Sequence, residues 1–124
     1  METSFEIHAE RLYEKAYAII SSFLQAKRQE DNAPLHIPEN LKNDFFSLVD
    51  KVNLSLMEDK DNFYGYFLLQ MTREIRFDIS SPSAVNFKEA KYVLYFNPII
   101  FLTLTLKQME SELSMKFSIS YRSI

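Results

Sequence analysis

The sequence predicts an α+β fold with a mainly helical N-terminal half, a small two-stranded β unit and a C-terminal helix or altered tail. Apolar residues recur at helical spacing up to about residue 75, whereas β-branched and aromatic residues dominate residues 77–97. Thr105 and Gln108 then have the spacing of a capping box, which indicates the start of a last helix. With 124 residues, the chain is expected to form one domain spanning residues 1–124.

Three helices are predicted in the N-terminal half. Thr3 and Glu6 form a capping box ahead of the first helix, which is expected to end near Gln29. Its buried stripe is Leu12, Ala16, Ile19, Ile20 and Phe23, flanked by Tyr13 and Tyr17. After a polar linker, Pro38 suits the first position of a second helix, whose apolar positions are Leu41, Phe45, Leu48, Val49 and Val52. A third helix is predicted over residues 63–75, with Tyr66, Phe67 and Met71 facing the other two.

The β unit follows the third helix. The segments "FDISSPSAVNF" and "KYVLYFN" are typical of two short strands, and the intervening "KEA" favours a hairpin. Asn97 and Pro98 then predict a helix start, with Asn97 as the N-cap. From Leu113 to Tyr121, apolar and polar residues alternate with the period of a strand. This alternation is unexpected in a segment that follows a capped helix start.

Composition and charge exclude several classes of function. The net charge of −3 gives no electrostatic reason to expect nucleic-acid binding. The chain has no cysteine, so neither disulfides nor thiolate chemistry are available. The N-terminus lacks the pattern of a secretory signal, and the apolar region from Tyr92 to Leu102 is too short to span a bilayer. We therefore expect a cytoplasmic protein that does not associate with membranes.

The usual catalytic groups are absent or dispersed. His8 and His36 are the two histidines, and their spacing does not suggest shared metal binding. The acidic residues Glu58, Asp59 and Asp61 fit a solvated loop. Glu74 and Asp78 could pair, but nothing in the sequence makes them a general acid and base. These residues indicate a non-catalytic chain.

The segment "FYGYFLLQMTREIRF…YVLYFNPIIFLTLTLKQMESEL" resembles a bacterial family. Its strand-to-helix step contains Tyr95, Phe96, Asn97, Pro98 and Phe101, and its helix approach contains Leu106, Gln108, Glu110 and Leu113. Both are similar to the predicted metallopeptidase domain that precedes a von Willebrand factor A-like domain in bacterial proteins. The resemblance covers the whole chain loosely and residues 63–113 more closely. It implies a zincin-like fold, a zinc cofactor and a partner such as an AAA-type ATPase.

In that family a His-Glu-x-x-His motif follows, because histidines four residues apart on a helix share a zinc ion and the Glu acts on the zinc-bound water. Here the resemblance places the first His at Met115, the Glu at Lys116 and the second His at Ile119. None of these side chains can replace its counterpart. We therefore expect no metal ligands, no catalytic residue and no bound zinc in this chain.

The genetic code suggests an origin for this difference. If the Ser114 codon ends in C, the frame shifted by one nucleotide reads CAT-GAA, which encodes His-Glu, across Ser114, Met115 and Lys116. With permitted codons for Phe117 through Ile124, the same frame can spell "HEIFHILSQH", which begins with that His-Glu. Our hypothesis is that residues 114–124 are an out-of-frame tail of a truncated metallopeptidase-like domain. Because the altered helix would leave an apolar groove uncovered, low stability or self-association is expected.

Two other interpretations remain open at this stage. The alternating tail can be a genuine strand, and the chain can then be a small helical interaction module or dimer. Its contact surface would combine the aromatic cluster from Phe63 to Phe67 with the tail as an edge strand. An active enzyme that uses other residues is the third interpretation.

Overall fold

The computed structural model describes residues 3–28, 35–59 and 71–122. In these ranges the chain forms four helices and three strands, which confirms the predicted α+β class and the helical N-terminal half. In chain order the elements are α1 (Ser4–Arg28), α2 (Glu39–Asp59), β1 (Thr72–Ile75), β2 (Ser83–Lys88), β3 (Lys91–Phe96), α3 (Pro98–Phe101) and α4 (Leu106–Arg122).

The sheet contains three strands in the order β1-β3-β2, so the prediction of a two-stranded unit was wrong. Strand β1 runs parallel to β3 and pairs Thr72 with Val93 and Ile75 with Phe96. Residues 72–75 lie at the end of the segment for which the spacing of apolar residues predicts a third helix. Pairing with the central strand overrides that local preference. Residues 63–70 of the predicted third helix, which include Tyr66 and Phe67, lie outside the described residues.

The predicted hairpin is confirmed as β2 and β3, which are antiparallel and end with the pair Lys88 and Lys91. The two residues between them, Glu89 and Ala90, have φ angles of 55° and 64°. Positive φ at both central positions is the geometry of a type I′ turn, whose twist matches that of the flanking strands. The left-handed conformation is unfavourable for residues with a Cβ atom, so this turn is held by strand pairing.

The core lies between the helices and one face of the sheet. Four phenylalanines from α2, β3 and α3 form its centre, with ring centroids 5.3–6.1 Å apart in edge-to-face arrangements: Phe45, Phe46, Phe96 and Phe101. The predicted stripe of α2 is fully confirmed by burial of Leu41, Phe45, Leu48, Val49 and Val52. In α1, Leu12 and Ala16 are buried, whereas Ile19, Ile20 and Phe23 are half-buried.

The C-terminal segment is helical, so the interpretation of residues 113–121 as a strand was wrong. Helix α4 continues from Leu106 to Arg122 without a break. Met109 and Leu113 are fully buried and lie four residues apart, on one helical face. Once the first turn is fixed against the core, each further residue adds a backbone hydrogen bond at little extra cost. Helix propagation therefore outweighs the alternating pattern.

Candidate functional site

The step from β3 into α3 is fixed by the buried side chain of Asn97, which is 5% exposed. Its Oδ1 accepts a hydrogen bond of 3.1 Å from the backbone N–H of Ile99, as predicted for an N-cap. Its Nδ2 donates to the carbonyl oxygens of Phe77, at 3.4 Å, and Ile79, at 2.9 Å. Asn97 thus ties the segment before β2 to the start of α3. This contact fixes the direction in which the chain leaves the central strand.

Helix α4 begins with the predicted capping box. The N–H of Gln108 donates to Oγ1 of Thr105 at 3.2 Å, and the N–H of Thr105 donates to Oε1 of Gln108 at 2.9 Å. These reciprocal bonds satisfy two backbone donors at the helix start. The start of the helix that carries the positions of the family motif is therefore well defined.

Two carboxylates attach α4 to its neighbours. Ser55 on α2 donates to Oε1 of Glu110 at 2.7 Å, and Ser83 on β2 donates to Oε1 of Glu112 at 2.7 Å. Lys116 lies one turn after Glu112, with 3.8 Å between its Nζ and Oε1 of that carboxylate. The side chains of Lys116 and Glu112 are 17% and 13% exposed. No sequence pattern indicates the two serine contacts, because each serine is far from its carboxylate partner along the chain.

The three positions that the resemblance assigns to the zinc motif all lie within α4. Met115 is half exposed, Lys116 is mostly buried beside Glu112, and the side chain of Ile119 lies outside the described residues. A thioether, an ammonium and an alkyl group are not a zinc ligand set, so these residues do not fit the metal. Among the residues that the structure describes, no group of three His, Cys, Asp or Glu side chains could hold a metal ion.

The other polar candidates do not converge. His8 lies near the start of α1, whereas His36 lines a groove with residues 18–26 of that helix, at least ten residues or about 15 Å away. Asp78 pairs with Arg76, whose Nε donates to Oδ1 at 2.9 Å, and Glu74 is exposed on β1. The hydrogen bond from Arg76 holds the pKa of Asp78 below its ordinary value. Glu58 is exposed at the end of α2, and Asp61 is outside the described residues.

A groove of about 480 Å³ separates the start of α1 from the segment that joins α3 to α4. Its walls are Phe5, Ala9 and Tyr13 on one side and residues 102–106 on the other, with Glu6 and Glu10 also lining it. No sequence pattern indicates this groove, because its walls lie about 95 residues apart along the chain. None of the helices described here is both long and apolar enough to cross a membrane.

Comparison of the chain with models of known families, with curated proteins and with solved structures found no match. A functional assignment therefore depends on the residues themselves and on the resemblance that they carry.

Proposed function

We propose that this chain is a metallopeptidase-like domain of the type that precedes von Willebrand factor A-like domains, and that it has neither a zinc site nor peptidase activity. The observation that supports the proposal is the arrangement of α4. This helix follows a capped Asn-Pro step, and it carries Met115, Lys116 and Ile119 at the spacing of the zinc motif. The out-of-frame origin of residues 114–124 is part of the same proposal.

The charge at the Glu position supports the absence of catalysis. A carboxylate there would act on a zinc-bound water, whereas Lys116 places a cation beside Glu112. The ammonium group of Lys116 repels a nearby divalent cation. An ammonium group also has no lone pair with which to accept a proton from water. These properties would block both metal binding and general-base catalysis at this position.

Zinc content tests the proposal directly. The purified chain is incubated with an equimolar amount of Zn²⁺, dialysed and measured by mass spectrometry for metals. We expect less than about one zinc per ten chains, because the three side chains supply no ligand. About one zinc ion per chain would overturn the proposal and would favour an active enzyme that uses other residues.

A variant with the motif restored, Met115→His, Lys116→Glu and Ile119→His, makes the test more specific. Its control is Lys107→His with Ser111→His, a pair of histidines with the same spacing on an exposed part of α4. We expect the restored variant to bind zinc more tightly, because Glu112 lies one turn earlier on the same face and adds a carboxylate. Equal affinities would count against the metallopeptidase-like assignment.

An interaction module or dimer is the second candidate function. The observation in its favour is a set of large apolar side chains more than half exposed, of which Leu54 and Phe87 are the most exposed at 59% and 61%. The helical tail removes the edge strand on which this interpretation partly depended, and the cluster from Phe63 to Phe67 is outside the described residues. Light scattering after size exclusion tests this second candidate function. A dimer that the variant Phe87→Ser dissociates would support it, and a monomer at about 100 μM would contradict it.

The proposed partner follows from the resemblance, and the proposed location follows from the composition and the sequence patterns described above. An AAA-type ATPase is the proposed protein partner, and the cytoplasm is the proposed compartment. A pull-down with purified chain and purified ATPase from the same cell tests the first, and fractionation of cells tests the second.

A further inference from the structure

The groove between α1 and the start of α4, defined above, has a volume in the range of small-molecule sites, which is about 300–1,000 Å³. It lies away from the positions of the zinc motif, because its α4 residue Leu106 precedes Met115 by nine residues, or about 13 Å of helix. A ligand bound here would therefore lie apart from Met115, Lys116 and Ile119.

Helix α1 presents two adjacent rows of side chains to the groove. Phe5, Ala9 and Tyr13 recur every four residues and form an apolar row with an aromatic ring at each end. Glu6 and Glu10, also four residues apart, form a carboxylate row beside it. The far wall adds the apolar side chains of residues 102, 104 and 106 together with Thr103 and Thr105, so the groove is mainly apolar with acid on one side.

The groove carries acidic charge, and Glu6 lies in the first turn of α1, where the helix dipole favours a negative charge. None of the described residues that line it is basic, and neither Glu6 nor Glu10 forms an ion pair within the described part of the chain. Like charges one helical turn apart repel each other, so a cation placed between them would relieve that repulsion. The faces of Phe5 and Tyr13 would also attract a cation.

We propose that this groove binds a small organic ammonium ion, that is, an apolar body carrying one protonated amine. The apolar row and the far wall would bury the body, and the carboxylates of Glu6 and Glu10 would hold the amine. A neutral or anionic molecule of the same shape lacks the contact between the ammonium group and these carboxylates. Charge discrimination between molecules of equal shape is therefore the property that identifies this site.

Three probes of similar shape test the proposal: 4-phenylbutylamine, 4-phenylbutan-1-ol and 4-phenylbutanoate. Each is titrated into the ¹⁵N-labelled full chain, and the amide signals of Ala9 and Leu104 report on occupancy of the groove. We expect the amine to bind about fivefold more tightly than the alcohol, since two exposed ion pairs contribute a modest gain. The butanoate should bind more weakly than both.

The variant Glu6→Gln with Glu10→Gln should bind the amine and the alcohol equally and should stay folded, with a cooperative thermal transition. Its control, Glu14→Gln with Glu58→Gln, removes the same net charge from exposed positions outside the groove and should keep the fivefold preference. The proposal is overturned if the amine and the alcohol bind alike to the wild type, if the groove variant keeps the preference, or if 10 mM amine shifts neither amide signal.

Discussion

Replacing Asn97 by alanine should strongly destabilise the fold, because one side chain satisfies three backbone groups. In the wild type its Oδ1 caps α3 at Ile99, and its Nδ2 binds the carbonyls of Phe77 and Ile79. The variant removes all three bonds in a place that is 5% exposed, where water cannot easily take over. The connection between the segment before β2 and the start of α3 is lost with them.

The expected loss follows from these contacts. An N-cap contributes about 1 kcal/mol, and each hydrogen bond lost from a partly buried carbonyl costs about 1 kcal/mol more. The bond to Phe77, at 3.4 Å, is the weakest of the three. The total of about 3 kcal/mol is a large part of the 5–15 kcal/mol that stabilises a typical domain. It corresponds to a fall in melting temperature of about 10 °C for a chain of this size.

Urea denaturation followed by circular dichroism measures the effect. Asn97→Ser keeps an acceptor for the cap but has no amide to reach the two carbonyls, so we expect it to lose about 2 kcal/mol. The control Asn86→Ala changes an exposed residue of β2 and should stay within about 0.5 kcal/mol of wild type. A loss below 1 kcal/mol for Asn97→Ala, or a serine variant as stable as wild type, would refute the role assigned to this side chain.

Three further predictions concern the hairpin turn, a buried amide and a surface ion pair. Ala90→Gly should raise the free energy of unfolding by about 1 kcal/mol, because glycine adopts the observed φ of 64° without strain; a lower melting temperature would contradict this. Asn53→Leu should stabilise the chain by about 1 kcal/mol in urea denaturation, since Oδ1 of Asn53 is buried with no hydrogen-bond partner among the described residues, its Nδ2 donates a long hydrogen bond of 3.7 Å to Sδ of Met57, and Leu has the same branched shape; destabilisation would show that the amide is satisfied. The pKa of Asp78, measured by NMR, should lie below its ordinary value and rise in the variant Arg76→Gln, because Arg76 stabilises the carboxylate; the same pKa in both proteins would disprove this. As this folded-state pKa is lowered, the stabilisation from the pair is present at neutral pH and is lost as the pH falls through it.

Features that depend on neighbours along the chain could be predicted from the sequence. The caps at Asn97 and Thr105 use bonds that span two or three residues, and the buried stripe of α2 follows from its helical period. Features that depend on distant partners could not. Residues 72–75 form a strand because β3, about 20 residues further on, pairs with them, and the left-handed turn at Glu89 and Ala90 has no Asn or Gly to indicate it.

The same distinction applies to the candidate site. The positions Met115, Lys116 and Ile119 came from a resemblance between short sequence segments, and α4 holds all three in one helix. The contact of Glu112 with Ser83 and the groove beside Glu6 join residues from separate elements. No periodicity or motif encodes such contacts, so they become visible only when the elements are packed together. In residues 113–121 a local pattern was present but misleading, because helix propagation outweighs the strand-like alternation.

The coding DNA from Leu106 onward tests the central proposal most directly when all its frames are compared. We expect the frame shifted by one nucleotide to encode His-Glu-x-x-His at the positions of Met115, Lys116 and Ile119 and to remain open well beyond them. A shifted frame without this motif, or one closed by stop codons within a few residues, would contradict the out-of-frame origin of residues 114–124. The residues of α4 would then be the natural ones, and the interaction module would become the better interpretation.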